Sequence, residues 1–508
     1  MRLNIVIGGR AGQGINLVSG MVSKILASQG YYTFNYRDYP SIIRGGHNFN
    51  VLSISDTEIE SHESKLDGIV AMDENTIKVH KKELKKDGFI IQPDKYLEFG
   101  RNLNVALAGA LIKVLGVDKN VLSQEVKESI KKNVEDALEA SAAGFSSQAK
   151  RFSLNKLKNN LSILSGSQAI AQGAINSQID MYIAYPMTPA TPTLHVLASQ
   201  QEKYGYMVFQ PESELAVINS ALGASFAGAR TMVGTSGGGY DLMTESLSLQ
   251  GISEVPLVVY LASRVGPGTG IPTYTIQGDL DIALRGGHGE FPRIVIAPGT
   301  PTETIEKTNE AFYLSEKFGA LSIILSDKHL AESEFSFIDK TKKPLKVKVE
   351  RKVPGETIVK ATSYEHDEFG NTTENAVIAT KKANLRIKKY NEIKKACQDF
   401  EMIKIHGNKD SKNLIIGWGS TAGAIKDAIQ DLDVKFLQVL YMKPLSNQIR
   451  KEIEKAKKVI LIENNLTGQL GRLLREKTGI SIKSRILKYD GRPFLSDGLK
   501  EKIKKELK

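Results

Sequence analysis

The sequence predicts an α/β fold divided among three domains. Short apolar runs, such as residues 3–7, 181–184 and 413–418, end in segments rich in glycine, proline or small residues, and helical periodicity follows. Strand–loop–helix repeats of this kind are typical of sheets with parallel strands. A chain of 508 residues is too long for one hydrophobic core, and its length indicates about three domains. We expect domains at 1–150, 160–335 and 411–508, with a connector and helical segment at 336–410.

Composition and charge narrow the class of protein. With 41% apolar and 25% charged residues the chain is typical of soluble globular proteins. No apolar run approaches the roughly 18 residues of a membrane span, and the first residues do not resemble a secretory signal. We therefore expect a cytoplasmic protein without membrane association. The net charge of +11 comes mostly from lysines without interleaved aromatic residues, which disfavours a nucleic-acid partner.

The chain has one cysteine, Cys397. One cysteine cannot form an internal disulfide, nor can it ligate an iron–sulfur cluster by itself. Any cluster that this protein uses must therefore lie on a partner.

The first domain opens with a strand, a glycine-rich loop and an apolar-periodic helix. The loop at residues 9–14 (GRAGQG) has the spacing G-x-x-G-x-G, which differs from the dinucleotide-binding fingerprint G-x-G-x-x-G. Its glycines allow either close packing of the helix on the sheet or the approach of an anion to the helix N-terminus, and both interpretations stay open. About thirty residues later, Arg44-Gly-Gly places a charge on a flexible backbone. A helix at 102–115 completes a Rossmann-like unit.

In the second domain, an apolar run stops at residues 185–192 (YPMTPATP). Proline fixes φ and lacks a backbone donor, so the strand cannot continue through this segment. The segment is expected to form a rigid turn at a strand end, where α/β sheets bind ligands. Taken alone, it could equally be a connector to the next helix.

Further loops of this domain carry charged or hydroxyl side chains. Glu212 and Glu214 stand at the start of a helix rich in small residues, where an acid either stabilises the helix dipole or, if buried, must be paired or used. Residues 235–239 (TSGGG) form a glycine-rich turn before another helix. Arg264 follows a strand and opens a Gly/Pro-rich loop that ends at Thr273. Because a guanidinium donates two parallel hydrogen bonds, Arg264 suits a planar carboxylate.

The last third of the chain contains fewer candidate functional residues. His366 stands beside three acidic residues, but these residues are nearly consecutive and cannot all face one metal ion, so a charged turn is favoured. Helical, basic sequence is expected to continue to Lys404. A final α/β unit begins at residue 413.

Six motifs of the second domain resemble, in order and spacing, the α subunit of 2-oxoacid:ferredoxin oxidoreductases. They are YPMTPATP at 185–192, Glu212-Ser-Glu214 with GAS at 223–225, TSG at 235–237 with Leu242-Met, GPGTGIPT at 266–273, QGDL at 277–280, and GHG at 287–289. The departures, at Met187, Ala190, Val265 and Gly268, leave the hydrogen-bonding groups in place.

The resemblance extends over nearly the whole chain. The glycine loop and Arg44-Gly-Gly resemble the γ domain of the same enzymes, and residues 411–508 resemble their transketolase C-terminal-like domain. The resemblance thus implies three α/β domains: a Rossmann-like γ domain, a doubly wound domain of the thiamine-diphosphate-binding PYR type, and a transketolase C-terminal-like domain.

Such enzymes oxidatively decarboxylate a 2-oxoacid with coenzyme A to acyl-CoA and CO2. The resemblance implies that Tyr185, Pro186 and Glu214 contact the thiamine diphosphate, with Glu214, rather than Glu212, at N1′ of its aminopyrimidine. It also implies that Thr188 and Arg264 hold the 2-oxoacid carboxylate, with an added hydroxyl contact from Thr273. The catalytic residues would be Glu214, Thr188 and Arg264, and no metal ligand is expected on this chain.

The resemblance also implies partners. A β subunit, in a heterodimer or an α2β2 complex, would supply the Mg²⁺ site and a [4Fe-4S] cluster, and ferredoxin would accept the electrons. The first domain would help to cover coenzyme A. The substrate would be 2-oxoglutarate or pyruvate, or a broad range of 2-oxoacids. The alternatives are a family member acting on aryl or branched 2-oxoacids, a nucleotide-binding scaffold subunit, and an NAD-linked dehydrogenase, the last disfavoured by the glycine spacing.

Overall fold

The structure is a computed structural model that describes residues 1–42, 45–347, 356–359 and 362–508. Arg44 and part of the predicted connector, including Pro354-Gly355, lie outside the described residues. The described chain divides into two compact units. One comprises residues 1–165, 332–340 and 494–501, and the other comprises 166–331, 341–493 and 502–508.

Strands and helices alternate along most of the chain. Up to residue 165 the elements are β1 (Arg2–Gly9), α1 (Ile15–Ser28), β2 (Tyr32–Asp38), β3 (Asn48–Ser55), β4 (Leu66–Ala71), α2 (Glu74–His80), β5 (Leu84–Ile91), a 3-10 segment (Asp94–Asn102), α3 (Leu103–Leu115), α4 (Lys119–Ser129), α5 (Val134–Ser146) and β6 (Ser162–Ser165).

The next elements are α6 (Gly166–Asn176), β7 (Met181–Ile183), α7 (Thr191–Tyr204), β8 (Met207–Phe209), α8 (Glu214–Phe226), β9 (Thr231–Thr235), α9 (Gly237–Ser253), β10 (Leu257–Ser263), α10 (Leu280–Arg285), β11 (Arg293–Ile296), α11 (Pro301–Phe318), β12 (Leu321–Asp327), α12 (Lys328–Glu332) and β13 (Glu334–Phe337). The last are α13 (Ala376–Ala396), a 3-10 turn (Cys397–Asp399), β14 (Ile403–Gly407), β15 (Asn413–Trp418), α14 (Thr421–Ala428), β16 (Lys435–Val439), β17 (Tyr441–Lys443), α15 (Gln448–Lys455), β18 (Lys458–Glu463), α16 (Gln469–Thr478), β19 (Ser484–Leu487) and α17 (Ser496–Leu507).

The first unit is built on a mixed sheet. Within the part of the chain that the structure describes, its seven strands lie in the order β5-β4-β1-β3-β2-β13-β6. Strands β5, β4 and β1 are parallel, and the other pairs are antiparallel. Strands β6 and β13 come from residues near 165 and 335, so the unit is not formed by the first 150 residues alone.

The glycine-rich loop of the first unit joins β1 to α1. Gly14, the residue before α1, has φ of 86° and lies so close to the Asn104 side chain of α3 that a Cβ there would collide with it. The space beside Gly12 is open. Close helix packing therefore accounts for Gly14, while Gly12 leaves room for a ligand, so neither sequence interpretation is excluded.

The second unit contains two sheets. Among the described residues, one has seven strands in the order β17-β11-β12-β10-β9-β7-β8, which are parallel except for β17. The other has five strands in the order β14-β16-β15-β18-β19, with β14 antiparallel. Apolar residues of both sheets, such as Val259, Ile323, Ile416 and Leu461, belong to one buried core.

Two expectations for the last third of the chain meet different outcomes. The prediction that helix continues to Lys404 is wrong, because α13 ends at Ala396 and β14 pairs with β16 from Ile403. The chain there instead forms an edge strand on the third sheet. The charged turn is present, since Asp367 accepts backbone hydrogen bonds from Phe369 and Asn371 at 2.9 Å each.

The division of the chain into domains with bounds at residues 150, 160, 335 and 411 stays a prediction. None of the described helices is long and apolar enough to cross a bilayer.

Candidate active site

Four loops of the second unit meet at one edge of its larger sheet. Strands β8, β7, β9 and β10 are neighbours and parallel, so their carboxyl ends lie side by side. The prolines follow β7, the two glutamates follow β8, the glycine turn follows β9, and Arg264 follows β10. These loops therefore share one edge of the sheet, which is where open α/β sheets bind ligands.

The proline-rich segment forms a compact turn that contacts Arg264. After β7 the chain turns back on itself, with the Ala190 N–H donating to the Met187 carbonyl at 2.7 Å. The Arg264 guanidinium donates to the carbonyl oxygen of Thr188 at 3.0 Å, although the two residues lie 76 positions apart. The contact uses the backbone of Thr188, and its hydroxyl makes no hydrogen bond with any described residue. The structure therefore brings together two of the predicted site residues.

Tyr185 and Pro186 lie at the surface of the same turn. The Tyr185 side chain is 36% exposed, and Pro186 is exposed as well. A large exposed aromatic side chain at the carboxyl end of a buried strand is available to a ligand or to another subunit.

The two glutamates after β8 differ in burial. Glu214 is the first residue of α8 and is 7% exposed, whereas Glu212 is exposed. The Ser213 hydroxyl caps α8 by accepting from the Ala216 N–H at 3.3 Å, which fixes the start of the helix. A Cβ at Gly239, in the first turn of α9, would lie 2.9 Å from the Glu214 carboxylate. Two loops thus hold the Glu214 carboxylate in a confined position.

Asp279, within the QGDL motif, is a site residue that reasoning from the sequence missed. It precedes α10 and is partly buried, and its Oδ2 atom is shielded from solvent. Burial raises its pKa to about 6, with a further rise from Asp241, while the Ser263 hydroxyl and Arg264 oppose the shift. The sequence feature that could have indicated Asp279 is its position directly before a short helix, at the end of a Gly/Pro-rich loop.

Arg264 lies in the field of two carboxylates. Its guanidinium is half-buried, and burial lowers its pKa, while the charges of Asp279 and Glu214 act in the opposite direction. A guanidinium stays protonated under these conditions, because its ordinary pKa lies above 12. The site thus combines one fixed cation with a carboxyl group, Asp279, that titrates near neutral pH.

Two buried hydroxyls at this edge lack a partner. The hydroxyls of Ser236 and Thr273 are buried and make no hydrogen bond to the described residues. Buried polar groups are normally hydrogen-bonded, so two exceptions at one edge need an explanation. A polar ligand at the carboxyl edge of the sheet would supply the missing partners. Thr273, one of the predicted substrate contacts, is one of these two residues.

Two family models match the chain. Residues 172–401 match "Pyruvate flavodoxin/ferredoxin oxidoreductase, thiamine diP-bdg", and residues 4–99 match "Pyruvate ferredoxin/flavodoxin oxidoreductase". The first range contains all of the predicted site residues.

Relatives match along the full length. The chain is 31% identical to the 2-oxoacid:ferredoxin oxidoreductase subunit alpha of Sulfolobus sp, in an alignment that covers 100% of this chain and 97% of the relative. It is 39% identical to the 2-oxoglutarate synthase subunit KorA of Archaeoglobus fulgidus over 34% of this chain and 51% of the relative. The solved 2-oxoglutarate:ferredoxin oxidoreductase from Magnetococcus marinus, with 2-oxoglutarate, coenzyme A and succinyl-CoA bound, matches with a TM-score of 0.89 and 25% identity over 100% of both chains.

Proposed function

The chain belongs to the family of 2-oxoacid:ferredoxin oxidoreductase α subunits, and from that premise we propose how its own residues serve the reaction. The reaction is the oxidative decarboxylation of a 2-oxoacid with coenzyme A to acyl-CoA and CO2, with electrons passing to ferredoxin. The observation that carries the assignment of roles is the meeting of Thr188, Glu214 and Arg264 at one edge of the parallel sheet.

Thiamine diphosphate is the cofactor that fits this edge. When bound, it supplies the carbanion-stabilising chemistry that decarboxylation of a 2-oxoacid requires. Glu214 would hold a proton between its carboxylate and the ring nitrogen N1′ of the aminopyrimidine, and Tyr185 and Pro186 would line the same ring. The fit is supported by the burial of Glu214 at a capped helix start and by the unpartnered buried hydroxyls nearby. Glu212 is exposed and does not fit this role.

Arg264 is proposed to bind the substrate carboxylate. Its single hydrogen bond to the described residues goes to Thr188, which orients the guanidinium and leaves its other donors for a ligand. The buried Thr273 hydroxyl, which has no partner among the described residues, and the Thr188 hydroxyl would donate to the same carboxylate or to the neighbouring oxo group. A charge-assisted pair with a planar carboxylate is among the stronger polar contacts available. Together these groups would hold the 2-oxoacid in one orientation.

The remaining components are proposed to come from partners. A β subunit, in a heterodimer or α2β2 complex, would carry the Mg²⁺ site and the [4Fe-4S] cluster, and ferredoxin would be the acceptor. The single cysteine of this chain supports that division, because Cys397 is buried and burial raises the pKa of its thiol to about 12. The first domain, residues 1–150, is proposed to cover coenzyme A. We also propose a cytoplasmic location for the complex.

The proposal is tested on the complex with its β subunit. Arg264→Ala should raise KM for the 2-oxoacid at least tenfold, because the carboxylate loses its cation, while Arg475→Ala, an exposed arginine of α16, should leave KM unchanged. An unchanged KM in Arg264→Ala would exclude the role. A panel of pyruvate, 2-oxoglutarate, and aryl and branched 2-oxoacids would distinguish the main substrates from the alternative ones.

A second pair of variants tests the cofactor contact. Glu214→Gln should abolish proton exchange at C2 of bound thiamine diphosphate, measured by NMR, because an amide cannot share a proton with N1′. Glu212→Gln is the matched control and should exchange normally. Normal exchange in Glu214→Gln would reject the assignment.

A further inference from the structure

The second unit contains a cavity of about 740 Å³ that the reaction does not use. It lies between the end of α10, strand β17 and helices α13, α15 and α16. Strand β17 is antiparallel to β11: Tyr441 pairs with Ile296, the last residue of β11, and Lys443 pairs with Val295, one residue nearer the amino end of that strand. The lysine side of β17 therefore points towards the amino edge of the sheet, opposite to the edge that carries Thr188 and Arg264.

The cavity is lined mainly by cations. Six basic side chains face two acidic ones; the basic residues are Arg285, Lys394, Lys443, Arg450, Lys451 and Lys477, and the acids are Glu454 and Glu476. Both acidic residues already form ion pairs. Glu476 pairs with Arg285 and Lys477, and Glu454 pairs with Arg450. Lys394, Lys443 and Lys451 form no ion pair with any residue that the structure describes.

Lys443 is the most constrained of these three lysines. Its ammonium is half-buried and donates only one long hydrogen bond within the described residues, to the Leu284 carbonyl at 3.4 Å. Burial lowers its pKa to about 8, and the nearby charges of Arg293, Lys477 and Arg285 add to the shift, with Glu476 opposing it. A half-buried cation that faces other cations without a paired carboxylate is electrostatically unfavourable unless an anion joins it.

Apolar side chains form much of the remaining lining, together with Ser446, Asn447 and Thr478. The floor of the cavity consists of aliphatic side chains, namely Leu284, Met442, Leu445, Ile449, Leu473 and Leu474, with Tyr390 of α13 at the side. The start of α15, where Asn447 and Ile449 line the cavity, contains no acidic residue in its first turn, so its backbone N–H groups favour an anion as well. A volume of about 740 Å³ lies within the roughly 300–1,000 Å³ range of small-molecule sites.

We propose that this cavity binds a nucleoside triphosphate or diphosphate, with the phosphates on Lys394, Lys443 and Lys451 and the base against Tyr390 and the aliphatic floor. Three unpaired cations match the charge of a di- or triphosphate, and the apolar floor matches a base better than a simple inorganic anion. Helix α10 ends at this cavity with Arg285 and is preceded by Asp279, so the bound nucleotide would contact an element of the proposed active site.

The test uses the complex with the β subunit, saturated with thiamine diphosphate, Mg²⁺ and coenzyme A so that the other phosphate sites are filled. The probe is N-methylanthraniloyl-ATP, followed by fluorescence anisotropy at about 0.15 M salt, where surface charges are largely screened. We expect saturable binding that Lys394→Gln/Lys443→Gln weakens at least tenfold. The matched control is Lys409→Gln/Lys412→Gln, which removes the same charge from exposed positions and should change binding less than twofold.

Four outcomes decide the proposal. Absence of binding, equal loss in the two double variants, or displacement of the probe by excess coenzyme A would overturn it. Displacement by inorganic pyrophosphate at the same concentration as ATP would also overturn it, because the base would then contribute nothing. Lys394→Gln alone, which leaves β17 unchanged, provides a second variant if the double variant is poorly folded by circular dichroism.

Discussion

Replacement of Asp279 by asparagine should stabilise the protein above neutral pH. The folded chain buries this carboxyl group and raises its pKa to about 6, from an ordinary value of 3.8. The folded state therefore holds the proton more tightly than the unfolded chain, and stability is lost as the pH rises from about 4 through 6. At 1.36 kcal/mol for each pKa unit, ionisation of Asp279 costs about 3 kcal/mol at pH 8. Asparagine resembles the protonated acid and avoids that cost.

The single tryptophan provides the assay. Trp418 is 1% exposed and lies in the same unit, and its carbonyl accepts from Gln277 at 2.8 Å, two residues before Asp279. Guanidinium unfolding followed by its fluorescence should give Asp279→Asn a higher free energy of unfolding by up to about 3 kcal/mol at pH 8, falling towards zero at pH 4.

The control is Asp241→Asn, because Asp241 is an exposed neighbour of Asp279. Because the Asp241 charge is a smaller cause of the raised pKa than burial, Asp241→Asn should reduce the fall in stability between pH 4 and 6 without removing it. The reasoning would be refuted if Asp279→Asn raised the free energy of unfolding by the same amount at every pH, or if it lowered the free energy of unfolding at pH 8. Either result would mean that Asp279 is solvated or paired in the folded protein.

Two further predictions follow from close contacts in the second unit. Gly239→Ala should sharply reduce the activity of the complex while circular dichroism stays unchanged, because its Cβ would collide with the Thr235 hydroxyl and lie 2.9 Å from the Glu214 carboxylate and would displace both side chains. Gly238→Ala, which faces open space, should be neutral, and equal activity of the two variants would contradict the argument. Glu463→Gln should lower the free energy of unfolding, measured by Trp418 fluorescence, by about 1–3 kcal/mol. The buried Glu463 carboxylate accepts four hydrogen bonds, and an amide would turn a donor towards one of these donors. Unchanged stability would show that these hydrogen bonds are dispensable.

The sequence determined the fold class and the local geometry of the site. The prolines after β7 end that strand whatever surrounds them, since φ restriction and missing donors act on the residue itself. The capped start of α8 is likewise local, because Ser213 binds an N–H only three residues away. Thr188, Glu214 and Arg264 became candidates because the motifs that contain them resemble those of the family in order and spacing. Their roles stay proposals.

Only the tertiary structure decided which distant residues lie close together. The order β8-β7-β9-β10 places Thr188 against Arg264 across 76 residues, and burial makes Asp279 a titrating group next to that arginine. Nothing in the sequence distinguishes Lys443 from the other lysines. The pairing of β17 with β11 places it close to other cations. Strand order, burial and charge proximity are properties of the packed chain. They depend on contacts between distant residues, which no local pattern encodes.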